Sequence, residues 1–250
     1  MIPLVIAHRG DSAHRPENTL ASFASALEVG AEIVEFDVQF TRDGHVVVLH
    51  DPAVDRTTDG RGRVAHLNLA EIRKLSAGYP SRFGDAYAGE RVPTLAEALG
   101  LLKDRAQAMI EIKPEAVTED AEGGIEAHTV AEIRKAGMEK EVALISFSRQ
   151  ALVRCRTLAP ELLRGHLFHQ GAPGEMLEGA REAGTELIMP EKRLLSDQLR
   201  ERAREAGVKV ATWVVDDPGE MRRLLRFDLY GVGSNRPAEM MEALQGLAGS

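Results

Sequence analysis

The sequence predicts an α/β protein, a TIM-type (β/α)8 barrel with a small insertion after its second barrel strand. Three features of the chain lead there. Short β-rich runs alternate with amphipathic stretches from end to end, the pattern of βα units around a parallel sheet. Two of the runs are joined by too few residues for a parallel crossover, which sets one strand apart from the others. The early runs also end in ionisable residues, at the strand ends where such a barrel gathers its functional groups.

The runs are L-V-I-A-H, I-V-E-F-D, V-V-V-L-H, M-I-E-I-K, V-A-L-I-S-F, L-R-G-H-L-F, E-L-I-M-P, V-K-V-A-T-W-V and Y-G-V-G-S. Helix-like stretches lie between most of them, at Asn18–Val29, Thr94–Arg105, Ile125–Ala136, Arg149–Leu158, Gly174–Ala183, Ser196–Ala206 and Pro218–Leu225. An eightfold barrel has no place for a ninth strand, and connection length identifies the extra one. Only T-R-D-G-H separates V-E-F-D-V-Q-F from V-V-V-L-H, so these two form an antiparallel hairpin turning at Asp43-Gly44. With that arm folded back above the barrel mouth, the remaining strands are all parallel. A doubly wound open sheet is the rival architecture. Residues 51–92, rich in Gly, Asp, Arg and Tyr with one short helical piece near Leu69–Leu75, fit neither a strand nor a barrel helix. They read as an insertion subdomain over the C-terminal face, within a single domain spanning residues 1–250. Insertions at that face shape the substrate site.

Bulk properties narrow the function classes. The chain is 44% hydrophobic and 28% charged, with a formal net charge of −8. That balance argues against a nucleic-acid binder, which would carry a basic stripe, but leaves room for a local basic pocket that takes a phosphate. Cys155 is the only cysteine, so no disulfide forms within the chain and no zinc site rests on cysteine. The start, M-I-P-L-V-I-A-H-R-G, lacks the basic lead and cleavage site of a signal peptide. No run approaches the roughly 18 apolar residues of a membrane-spanning helix. A cytoplasmic protein with no stable membrane insertion is expected.

The stretch I-V-E-F-D-V poses the functional question. Val34, Phe36 and Val38 alternate with Glu35 and Asp37, so two carboxylates share one face of a buried strand. Glu111 and Lys113 stand in the same relation on the next barrel strand, His8 and Arg9 end the first, and His50 closes the hairpin arm. All converge on one mouth. Clustered carboxylates in low dielectric repel and take up protons unless a cation lies among them. Hard oxygen donors suit Mg²⁺ or Ca²⁺ better than zinc. Glu35, Asp37 and Glu111 are therefore the candidate metal ligands, with Lys113 alternatively a simple ion-pair partner for them. Arg9 and Lys113 beside a cation form the kind of clamp that stabilises charge building on a phosphoryl group. Of His8 and His50, one can activate a nucleophile while the other protonates a leaving alkoxide, which reads as phosphodiester cleavage.

At these residues the sequence resembles the glycerophosphodiester phosphodiesterase family. The matching pieces are H-R-G (8–10), P-E-N-T (16–19), E-F-D-V (35–38), T-R-D-G-H-V-V-V-L-H-D (41–51), T-D-G (58–60) and P-T-L-A-E-A-L (93–99). They continue with E-I-K (111–113), S-F (146–147), T-W (212–213) and S-N-R-P (234–237), in family order over nearly the whole chain. The resemblance implies metal-assisted hydrolysis of a small-molecule glycerophosphodiester to glycerol 3-phosphate and an alcohol. It carries acid and base onto His8 and His50, the divalent cation onto Glu35, Asp37 and Glu111, and phosphate contact onto Arg9 and Lys113. Trp213 falls at the apolar wall of the site. By analogy with related phosphodiesterases His8 is the base and His50 the acid, the nucleophile being either a substrate hydroxyl or water. One departure stands near the C-terminus, where Tyr230 replaces an acidic residue of the family pattern and Gly233 a bulky apolar one. That stretch is expected to lie away from the catalytic set.

Glu17 and Asn18 are expected to support the site from behind, Glu17 pairing with Arg9 and Asn18 also capping the following helix. His14, His45, His66, His128, His166 and His169 read as surface or packing residues, His169 sitting just past a barrel strand. Cys155 reads as structural, and R-E-R-A-R-E (200–205) as a solvated helix face. Two rival functions are a lysophospholipase-D-like hydrolase of the same family and a non-catalytic barrel binding module. The first needs an apolar path at the mouth, yet 75–87 sets Tyr79, Phe83 and Tyr87 among charges. The second predicts loss of residues that are all present. A phosphosugar isomerase would not need three clustered carboxylates.

Overall fold

The computed structural model describes residues 2–248. Its barrel strands in chain order are β1 (Leu4–His8), β2 (Ile33–Phe40), β4 (Gln107–Ile112), β5 (Val142–Ser146), β6 (Leu163–Phe168), β7 (Leu187–Pro190), β8 (Lys209–Thr212) and β9 (Gly231–Ser234), with β3 (Val46–Val48) between β2 and β4. The eight are joined in parallel, and β1 pairs with both β9 and β2, closing the ring. This closure, seated at Ile6↔Ile33 on one side and Ile6↔Gly233 on the other, excludes the open sheet. The short connection works as the sequence indicates: β3 pairs antiparallel to β2, with Val38 opposite Val48, and stays outside the ring.

Helices α1 (Leu20–Glu28), α4 (Leu95–Leu102), α5 (Ile125–Ala136), α6 (Arg149–Leu158), α7 (Pro173–Ala183), α8 (Asp197–Ala206) and α9 (Pro218–Leu224) connect the strands. Helix α4 shows why these segments are helical. Leu95, Ala98, Leu99 and Leu102 fall on one buried stripe, and Thr94 opens the helix by accepting the Glu97 N–H while the Glu97 carboxylate accepts the Thr94 N–H. At the other ends of α5, α7 and α8, Gly137, Gly184 and Gly207 take the left-handed conformation that terminates each helix. A final helix, α10 (Pro237–Ala248), follows β9, beyond the last helix that the sequence pattern predicts.

Alternation along the strands divides the core in two. Outward residues such as Val34, Phe36, Val38, Ile110 and Leu144 pack under the helices. Inward residues, among them Ile6, Ile33, Met109, Ile145, Leu167, Leu187, Met189 and Ala211, fill the barrel. Residues 51–92 contain α2 (Leu69–Ile72) and α3 (Pro80–Phe83). Val54, Val64, Ile72, Ala77 and Val92 pack there on Val47 and Leu49, a small core of their own beside the hairpin.

Candidate active site

Because side chains alternate, Ile33, Glu35 and Asp37 all point into the barrel, as do Met109 and Glu111 on the neighbouring strand. Apolar residues occupy the lower positions and the acids the upper ones. Pairing aligns Asp37 directly with Glu111 and Glu35 with His8. Glu35, Asp37 and Glu111 are buried, and one carboxylate oxygen from each lies within 4.8 Å of the other two.

Their electrostatics are uneven. Asp37 is only 1% exposed, and burial alone would raise its pKa, but Arg9, Lys113, His50 and Asn18 outweigh that and hold it well below the usual range. Burial and the charges of Asp37 and Glu111 drive Glu35 well above the ordinary carboxylate range. Burial, then Asp37, pushes Glu111 up to about 8 although Lys113 pulls the other way. Protein cations thus neutralise one acid of the three and leave the others short of positive charge. Three hard oxygen donors in that state fit a divalent cation such as Mg²⁺ or Ca²⁺.

Arg9 is placed by backbone geometry. Its φ of 57° puts it in the left-handed region, a strain of about 1–2 kcal/mol for a residue with a side chain. In that conformation its N–H donates to Glu35 Oε2 (3.1 Å), while Nε lies 3.2 Å from Asp37 Oδ2 and Nη1 donates to Glu17 Oε1 (2.8 Å). Gly10 follows with φ 81°, and a Cβ there would lie 2.1 Å from Ser22 Oγ, so the third position of H-R-G admits no side chain. Lys113 Nζ sits 2.7 Å from Glu111 Oε1 and 3.5 Å from Asp37 Oδ1. It is therefore an ion-pair partner of the acids as well as a cation at the mouth.

Asn18 supports the site but does not cap the helix. Thr19, not Asn18, caps α1 by accepting the Ser22 N–H. Asn18 instead adopts φ 58°, a region its short amide tolerates, donates to Asp37 Oδ2 (2.8 Å) and accepts the Asp37 N–H (3.3 Å). A cap needs the side chain turned to its own helix; this one is turned to the neighbouring strand. Glu17 braces the site as expected, but it has a second partner, Arg56 from the insertion.

The two histidines have different companions. His50 Nδ1 donates to Asp51 Oδ1 (2.6 Å), and Arg56 grips that carboxylate at both oxygens (2.7 and 3.0 Å). Burial would raise Asp51, but Arg56 and His50 bring it down to about 2, so it faces the imidazole as an anion. Arg56 also holds both oxygens of Glu17, at 2.8 and 2.9 Å, which ties Arg9 to His50 through a Glu17–Arg56–Asp51 chain. Gln39, the next inward residue of β2, fixes the backbone here by donating to the His50 carbonyl (3.1 Å). His8 Nδ1 instead meets a neutral group, Asn235 Oδ1, at 2.7 Å. Burial, then the Arg9 charge, brings His8 down to about 4. Sequence reasoning gave Asp51, Arg56 and Asn235 no role, although each stands in or beside a quoted motif; the adjacent His50-Asp51 pair was the available signal.

One cavity of about 250 Å³ gathers most of the predicted residues: His8, Arg9, Glu35, His50, Glu111, Lys113 and Trp213. Its remaining wall is Ile6, Ile145, Phe147, Leu167, Met189 and Gly233. Gly233 thus lines the same cavity as the histidines, contrary to the expectation that the last strand stands apart, because ring closure brings β9 beside β1. Tyr230 lies at the opposite end of the strand, its ring 4.6 Å from Lys209 Nζ. Trp213 is pinned by donating to the Met189 carbonyl (2.9 Å) and meets Phe147 edge-on, and the His169 ring also packs against Phe147, 5.6 Å between centroids. A larger hollow of about 500 Å³ at the far end of the barrel, by Lys209 and Tyr230, contains none of the predicted site residues.

The comparisons with known proteins agree with this geometry. Residues 8–239 match the model of the glycerophosphoryl diester phosphodiesterase family. A glycerophosphodiester phosphodiesterase of Caldanaerobacter subterraneus subsp. tengcongensis is 38% identical over 246 residues, covering 98% of this chain and 99% of the relative. One from Bacillus subtilis is 32% identical, over 94% of this chain and 84% of its own length. Among solved structures, an Oleispira antarctica phosphodiesterase in complex with the product sn-glycerol-3-phosphate superposes with a TM-score of 0.89 at 32% identity, covering 98% of this chain and 97% of that one. With the barrel, the acidic cluster and nearly the full length in agreement, the chain belongs to the glycerophosphoryl diester phosphodiesterase family and is a phosphoric diester hydrolase.

Proposed function

We propose that the protein hydrolyses glycerophosphodiesters to sn-glycerol 3-phosphate and an alcohol, with His8 as base and His50 as acid beside a divalent cation held by Glu35, Asp37 and Glu111. The observation that carries the assignment is the contrast between the partners of the two histidines. A neutral amide at Nδ1 suits a neutral imidazole whose Nε2 takes a proton, whereas the Asp51 anion complements an imidazolium that gives one up. His8 accepts the proton of the attacking water or substrate hydroxyl, and His50 donates one to the departing alkoxide oxygen; where the substrate hydroxyl attacks, water then opens the cyclic phosphate to give glycerol 3-phosphate. Arg9 and Lys113 bind the phosphoryl oxygens and offset the charge that grows on them. When bound, the cation supplies Lewis-acid polarisation of the phosphoryl group. The apolar wall of Phe147, Leu167, Met189 and Trp213 takes the non-reacting part of the substrate. The same wall supports the second reading, a lysophospholipase-D-like activity. Residues 51–92 act in both readings as an insertion subdomain of a single domain, contributing Arg56 to the site.

Release of glycerol 3-phosphate from glycerophosphocholine, measured with and without EDTA for wild type and His50→Ala, tests the scheme. Activity that disappears with chelator, returns with Mg²⁺ or Ca²⁺ and falls by about 10²–10⁴ in the variant is expected. Chelator-insensitive turnover would remove the metal site. Turnover of a lysophospholipid with none of glycerophosphocholine would select the second reading.

A further inference from the structure

Asp216 lies between β8 and α9, outside the cavity wall, yet its carboxylate is saturated by the residues around His8. Oδ1 accepts from Ser234 Oγ (2.9 Å) and the Asn235 N–H (2.7 Å), and Oδ2 accepts from Asn235 Nδ2 (2.7 Å). A carboxylate only accepts, so the atom of the Asn235 amide that faces it has to be the NH₂ group. The amide oxygen is then turned the other way, toward His8 Nδ1 at 2.7 Å and Ser12 Oγ at 2.9 Å. An oxygen there requires a hydrogen on Nδ1 and leaves Nε2 with its lone pair. The main chain on both sides is fixed too: Ala13 N–H donates to the Asn235 carbonyl (2.9 Å), and Val215 N–H to the Gly233 carbonyl (2.9 Å).

We propose that Asp216 and Asn235 are positioning residues that hold His8 in the Nδ1–H tautomer, so that Nε2 is the nitrogen free to accept a proton. Asp216 acts at one remove, by deciding which end of the Asn235 amide meets the imidazole. The device orients the base without lending it negative charge, because the Asp216 anion is spent on the amide and never touches the ring. Its place in the reaction rests on the reading of His8 as base; the tautomer itself does not.

The test uses full-length protein labelled with ¹⁵N at histidine, whose two ring nitrogens resonate far apart when one carries hydrogen and the other a lone pair. The His8 signals are assigned by their absence from His8→Gln. Wild type at neutral pH is expected to show a hydrogen on Nδ1 and a lone pair on Nε2. Asp216→Leu frees the amide to rotate, so the single pattern is lost while kcat for glycerophosphocholine falls by about tenfold to a hundredfold with KM little changed. Asn235→Leu has the same effect, and the double variant is no worse than Asn235→Leu alone, since Asp216 has no other route to the imidazole. A hydrogen on Nε2 of wild-type His8, or an unaltered His8 pattern in folded Asp216→Leu, overturns the proposal. If Asp216→Leu does not fold, the wild-type spectrum and Asn235→Leu still decide it. A changed tautomer with unchanged kcat upholds the positioning and rejects His8 as the base.

Discussion

The mouth of the barrel has two halves built on the same plan and filled with opposite chemistry. Strands β1, β2 and β4 send His8, Glu35, Asp37 and Glu111 inward at their carboxyl ends, with Arg9 and Lys113 just beyond. Strands β5 to β9 send Ile145, Phe147, Leu167, Met189, Trp213 and Gly233 to equivalent places around the ring. The fold decides where a side chain arrives and says nothing about what it is. Most groups of the ionic half have several partners, as Asp37 does with Asn18, Arg9 and Lys113. The apolar half is held by contact and by one anchor, the Trp213 indole on the Met189 carbonyl. Charges in a buried site need assigned neighbours, since an unmatched one is destabilising, while an apolar wall needs only volume.

The contrast gives a scale of expected effects. Glu35→Gln is expected to lower kcat by about 10³ or more while raising the thermal stability of the metal-free protein, because it removes one of three mutually repelling acids. The metal-free wild type should show the matching pH dependence. Glu111 holds its proton more tightly folded, so its contribution to stability is complete below its unfolded value of 4.5 and is lost as pH rises toward about 8. Asp37, shifted downward, is ionised throughout that window and adds no slope there. His8, brought down to about 4 from 6.5, opposes that slope below about pH 6.5, so calorimetry from about pH 6.5 to 8 should record a falling Tm without metal and a flatter curve with saturating Mg²⁺ or Ca²⁺; a flat metal-free curve there would break the account of the ionic half.

Arg56→Ala, which cuts the chain between Arg9 and His50, is expected to reduce kcat by about tenfold to a hundredfold, read in steady-state assays with metal saturating. Smallest is the effect of altering the apolar half. Gly233→Leu puts a side chain where even a Cβ would lie 3.2 Å from the Trp213 Cβ, and should shift the ratio of kcat/KM between a bulky and a small head group by about tenfold, leaving metal affinity alone. An equal loss for all head groups would show that the two halves are not separable.

How much of this the sequence disclosed follows the same division. The ionic half was legible because alternation along I-V-E-F-D-V places two acids on one face, and because five residues between two strands admit only a hairpin. The supporting contacts were not, since they join residues far apart in sequence: Arg56 reaches Glu17 from the insertion, and Asn235 meets His8 only once the ring closes. Only the cap read for Asn18 was wrong, because N-cap propensity is a local rule and its partner Asp37 lies on β2. Gly233 was set apart from the site for a similar reason, as the last strand becomes a neighbour of the first only in the closed barrel. Ordinary helical composition in P-A-E-M-M-E-A-L-Q-G-L-A gave the signal for α10, but no strand follows to mark it as part of a βα unit.

The pairing of β1 with β9 has a consequence for how the protein comes into being. His8 leaves the ribosome well before Asn235, which follows 227 positions later. During synthesis, a chain that ends before β9 already has all three acids and both histidines, but lacks the amide that orients the first of them. If Asn235 positions His8 as proposed, the full rate of hydrolysis waits on the docking of the last strand, because the amide that faces the imidazole arrives with it.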